Sequence, residues 1–64
     1  MKVNDLIDKL NWKVKVTWLE HVTGEEIEEP HAGTKEWVQF RNRNIYMIFP
    51  DKNGVANHLN VSVY

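Results

Sequence analysis

Trp12-Lys13-Val14-Lys15-Val16-Thr17-Trp18-Leu19 decides how this chain folds. Apolar and polar residues alternate through it, with Trp12, Val14, Val16 and Trp18 at every second position. Successive side chains of a strand point to opposite faces, so a period of two predicts these four on one buried face of a sheet. The same period recurs at Ile45, Met47 and Phe49, and again at Val55, Leu59, Val61 and Val63. Almost every large apolar residue is thereby committed to a small core.

Ahead of that stretch the chain reads as one short helix. Asn4 is a candidate cap and Asp5 sits in the first turn, where negative charge suits the helix dipole. Leu6, Ile7 and Leu10 form an apolar stripe, with Val3 as a staple before it and Asn11 as a left-handed stop. Two turns do not hold alone, so this helix needs a sheet to pack on.

Beyond it, residues 12–22 predict a first strand, with Glu20 on the apolar parity marking a bulge or the edge of the core. Thr23-Gly24 is a turn, and residues 25–29 are the return strand, charged enough to lie at an edge. A loop over residues 30–33 leads to a third strand at 34–41, with Trp37 on one face and Val38 and Phe40 toward the other. Asn42-Arg43-Asn44 turns into a fourth strand at 45–49, apolar throughout and therefore expected at the centre. Pro50-Asp51-Lys52-Asn53-Gly54 is the strongest turn signal, and residues 55–64 are the last strand. Short connections predict an antiparallel meander of four or five strands. The expectation is an α+β domain with the helix across an open sheet, an SH3-like barrel being the alternative.

At 64 residues the chain is one domain, 1–64. A chain this small buries only about 60% of its unfolded surface. It has no cysteine to staple it. Three Trp, two Tyr, two Phe and two Met supply large buried groups instead. The net charge of −1 gives no strong field toward nucleic acid or an anionic membrane. That charge is uneven: residues 1–29 carry four basic and seven acidic side chains, and residues 30–64 carry four and two. No apolar stretch of signal-peptide or membrane-span length follows Met1 and Lys2, which places the chain in the cytoplasm, the host's if it is phage-encoded.

Chemistry finds little purchase. His21, His31 and His58 have no metal-ligand spacing, and Ser62, the sole serine, has no nucleophile-elbow context. Gly24, Gly33 and Gly54 fall in three separate turns and form no phosphate loop. No cofactor and no enzymatic activity are expected. Two constellations remain. Glu20, Glu25, Glu26, Glu28 and Glu29 form an acidic hairpin that can meet Lys and Arg on a partner, or serve only as a charged edge that blocks strand pairing. Trp37, Arg41, Arg43 and Tyr46 could stack bases or hold a nucleotide, or else Trp37 is core and the arginines solvate a turn.

The opening Met-Lys-Val-Asn-Asp-Leu-Ile-Asp-Lys-Leu of residues 1–10, followed at once by a Val-rich strand, resembles small proteins encoded by phages of Gram-positive bacteria, some anti-CRISPR proteins among them. The resemblance covers residues 1–18. It implies a phage or mobile-element accessory protein that works by binding, as some anti-CRISPR proteins inhibit a Cas nuclease through an acidic surface. The first expectation is therefore a non-enzymatic module that blocks a host nucleic-acid-processing enzyme with the acidic hairpin. The second is a single-strand nucleic-acid or nucleotide binder using Trp37, Arg41, Arg43 and Tyr46. The third is a self-assembling structural protein, a homodimer through edge strands, because the last strand runs apolar to Tyr64.

Overall fold

The computed structural model describes residues 1–64 and shows an α+β fold. Its elements are α1 (Val3–Ile7), β1 (Lys15–Glu20), β2 (Glu26–Ile27), α2 (Lys35–Arg41), β3 (Ile45–Pro50) and β4 (His58–Val63). The four strands form one open sheet in the order β2-β1-β4-β3. The outer pairs are antiparallel, but β1 and β4 run parallel, with Trp18 opposite Val61 and Thr17 opposite Asn60. The expected meander is therefore corrected, and so is the barrel: β2 and β3 are separate edges. No helix is long and apolar enough to cross a membrane.

The sheet closes with four strands because the predicted third strand is a helix. Thr34 accepts the Trp37 N–H at 3.1 Å as its N-cap, and Glu36 lies in the first turn. A helix places residues i and i+3 on one side, so Trp37 and Phe40 face the sheet together while Val38 stays exposed. α1 begins one residue before the expected Asn4 cap. Asp5 accepts the Lys2 N–H at 3.1 Å, and Val3 is buried inside the helix rather than stapled before it. Asn11 is not left-handed; its side chain accepts the Lys13 N–H at 2.9 Å.

Both helices cover one face of the sheet. Val3 and Leu6 of α1, Phe40 of α2, Trp18 of β1, and Val61 and Val63 of β4 form the core. The Phe40 ring meets Trp18 edge-on at 5.1 Å and stacks on Trp37 at 6.2 Å. Only seven residues are buried, so each carries a large share of the stability. Trp12 lies outside this core, ahead of β1 and 87% exposed, contrary to the parity that groups it with Trp18.

β3 is an edge, not the centre. It also carries a bulge between Ile45 and Met47, which makes Ile48 rather than Met47 the partner of Val61. The extra residue, Tyr46, breaks the expected Ile45-Met47-Phe49 alternation and puts Met47 opposite Ser62. The second face of the sheet carries Thr17, Leu19, Met47, Phe49, His58, Asn60 and Ser62, and no helix covers it.

Candidate functional site

The largest concavity lies where the end of α1, the approach to β1 and the β2 segment meet. It is a groove of about 600 Å³. Leu10, Trp12, Val16, Trp18 and Ile27 give it an apolar lining, and Glu26, Glu28 and Glu29 line it beside Lys15. The volume falls within the range of small-ligand and peptide sites. Local sequence explains the shape. β2 is only two residues long, Glu26 and Ile27, before Pro30 ends the extended segment, so on its β2 side β1 has no neighbour over Lys15, Val16 and Thr17.

The acidic hairpin divides into two parts. Glu26, Glu28 and Glu29 border the groove and are exposed, and Glu25 is exposed in the turn just before. Glu20 is engaged elsewhere. Both its carboxylate oxygens accept from one Arg43 nitrogen at 2.7 Å, in a half-buried pair. Charge on the apolar parity of β1 is thus neutralised from the turn after α2, with no bulge needed.

The basic and aromatic residues do not converge. Trp37 and Arg41 lie on α2, not on a strand, with the guanidinium 5.3 Å from the indole centre. Arg41 also pairs with Asp8 at 3.0 Å. Arg43 is held by Glu20, and Tyr46 stacks on His21, the residue after Glu20, at 3.6 Å. A nucleotide would find neither two free arginines nor an open aromatic pair here.

On the uncovered face the structure brings together a set that the sequence kept far apart. His58 Nδ1 bonds Asp51 Oδ2, and His58 Nε2 lies 2.7 Å from Thr17 Oγ1. Asp51 is fixed by its turn, accepting the Asn53 N–H at 2.7 Å. The His58 hydrogen bond, followed by that of Asn53, holds the Asp51 carboxyl below its ordinary range. The seven-residue spacing of Asp51 and His58 across a turn was a readable signal; Thr17 joins them only through the parallel register. Beside His58 a second cavity of about 460 Å³ is lined by Lys13, Lys15 and residues 55–57. No three His, Asp or Glu side chains gather as metal ligands would.

The last strand cannot pair with a copy of itself, because β4 already has β1 on one side and β3 on the other. No protein-family model, no curated protein and no solved structure matches this chain.

Proposed function

We propose that this chain is a protein-binding module of phage type that inhibits a host nucleic-acid-processing protein by seating one of its basic segments in the acid-rimmed groove. The single observation that supports this is the pairing of an apolar floor, Trp12, Val16, Trp18 and Ile27, with three exposed carboxylates, Glu26, Glu28 and Glu29. Apolar contact supplies affinity, and the carboxylates select lysine and arginine, the residues that line nucleic-acid channels. The unpaired stretch of β1 beside the groove adds backbone groups that an extended segment can bond. Glu25 extends the negative field, while Glu20 contributes little beyond its bond to Arg43. At this groove the protein acts by occupancy.

The test is capture from nuclease-treated bacterial lysate by tagged protein, wild type beside the Glu26→Gln, Glu28→Gln, Glu29→Gln variant. A basic nucleic-acid-processing protein retained by the wild type, lost from the variant and weakened by salt is the expected result. Equal capture by both proteins would refute the groove.

One observation favours a second reading, self-association through β3. This edge strand, Ile-Tyr-Met-Ile-Phe-Pro, has no charge in six residues, and Tyr46, Met47 and Ile48 are each more than two-fifths exposed. Edges normally carry charge against such pairing, as β2 does here. A mass that doubles with concentration in sedimentation equilibrium, and falls to the monomer in Ile48→Lys, is the outcome expected of a β3-to-β3 dimer.

A further inference from the structure

We propose that Thr17, His58 and Asp51 form a nucleophile, base and orienting carboxylate that hydrolyse small esters bearing a negative charge. Three side chains from two strands and one turn make a single line of hydrogen bonds, Thr17 Oγ1 to His58 Nε2 and His58 Nδ1 to Asp51 Oδ2. This is the connectivity by which a weak hydroxyl nucleophile is activated, and it is recognised by geometry and not by chain order. Asp51, ionised, has no proton to give, so Nδ1 carries the hydrogen. Nε2 is then an acceptor facing the Thr17 hydroxyl.

The arrangement is fixed at each corner. The Asp51 turn is closed by Gly54 N–H to Asp51 O at 3.1 Å, with Gly54 at a left-handed φ of 71°. Asn57, the one non-glycine residue with positive φ, delivers His58 into β4, and its carbonyl accepts the Lys15 N–H at 2.8 Å. Lys15 pairs with His58 and Asn60 with Thr17 in the parallel register, so both flank Thr17 on the same face. The Lys15 ammonium and the second N–H of the Asn60 amide, whose nitrogen also donates to the Pro50 carbonyl at 3.4 Å, are the donors for a developing oxyanion. His58 lines the neighbouring cavity with Lys13 and Lys15, whose charges favour an anionic substrate approaching from that side, whereas Thr17 itself lines the acid-rimmed groove. No helix covers this face, and Thr17 is half-buried there, so part of its side chain is open to solvent.

The chemistry balances with water alone. Thr17 Oγ1 attacks the ester carbonyl carbon and its proton passes to His58 Nε2. Collapse breaks the carbon–alkoxide bond, and the leaving alkoxide takes that proton, leaving an acyl-Thr17 ester. Water then attacks the same carbon, gives a proton to Nε2, and collapse returns it to Thr17 Oγ1 with release of the carboxylic acid.

The probes are 4-acetoxy-3-nitrobenzoate, which is anionic, and 4-nitrophenyl acetate, which is neutral, followed by nitrophenolate absorbance and by mass spectrometry of tryptic peptides. The wild type should hydrolyse the anionic ester at least about tenfold faster than Thr17→Val, with the acetyl group trapped on Thr17. Thr17→Ser should retain turnover, and His58→Gln should lose it. Should Thr17→Val fail to fold, the contrast between Thr17→Ser and His58→Gln decides. Equal rates in wild type and His58→Gln, acetyl groups on lysines alone, or no preference for the anionic ester would each overturn the proposal. Failure here leaves the acid-rimmed groove standing, since that reading rests on Glu26, Glu28 and Glu29 and is read by capture, although Lys15 and Thr17 also line it.

Discussion

Phe40→Leu, set beside Val38→Lys, tests the architecture at the element that the sequence disguises. Phe40 is 4% exposed, edge-on to Trp18 at 5.1 Å and stacked on Trp37 at 6.2 Å. Complete truncation to alanine costs about 4 kcal/mol at such a site. A chain of 64 residues has only about 3–10 kcal/mol in total, so Phe40→Ala should leave much of the protein unfolded. Leucine keeps most of the volume and loses the ring contacts, for a cost of about 1–1.5 kcal/mol. With a urea slope of about 1 kcal/mol/M, the midpoint should fall by roughly 1–1.5 M, read from tryptophan fluorescence. Val38 is 56% exposed on the outside of α2, so lysine there should change stability by less than about 0.5 kcal/mol. On a strand, Val38 and Phe40 would share a face and both changes would be severe. Comparable losses in the two variants would refute the helix and the packing built on it.

Removing the Arg43–Glu20 pair by Arg43→Met, Glu20→Gln and the double variant should give a coupling of about 1 kcal/mol in urea unfolding, since the pair is half-buried and doubly bonded; zero coupling would show it to be a solvated contact. Asp51 is held below its usual value, so its bonded anion stabilises the fold above the ordinary carboxylate range near pH 3.8, and that contribution disappears as the pH falls below it. In thermal melts Asp51→Asn should therefore be less stable than wild type at pH 6, with the difference narrowing as the pH is lowered below the ordinary value of 3.8; a constant difference would contradict the linkage. Asn57 sits at φ 60°, so Asn57→Gly should leave the melting temperature nearly unchanged while Asn57→Val costs about 1–2 kcal/mol. Trp12→Ala should be neutral in stability, as its 87% exposure requires, while weakening capture of the partner through the groove.

Local signals were legible in the sequence and pairings at a distance were not. The Asp51 to Gly54 turn carries its own chemistry, an Asx bond and a left-handed glycine, and the β3–β4 hairpin follows from it. Leu59, Val61 and Val63 alternate as read because β4 is inside the sheet and regular. Residues 34–41 were ambiguous: in so short a window, Trp37, Val38 and Phe40 satisfy both a period of two and a helical i, i+3 pair. The Thr34 cap with Glu36 behind it was the deciding signal. The parallel β1–β4 pair leaves no mark in either strand, since the crossover that permits it depends on the misread helix. The candidate sites divide in the same way. Glu26, Glu28 and Glu29 were visible as a charge cluster, but the apolar groove they border depends on β2 being short. Asp51 and His58 meet across the β3–β4 turn in either topology, but Thr17 joins them only through the parallel β1–β4 register.

The groove, the ester site and the core all hang on β1 and β4 lying side by side in the same direction. A nitrogen-edited NOESY spectrum of the labelled protein examines that pairing directly. Cross-strand contacts of Trp18 with Val61 and of Thr17 with Asn60, together with helical amide contacts through residues 35–41, are the predicted result. Extended-strand contacts through residues 35–41, with β1 paired to that segment instead of β4, would contradict it.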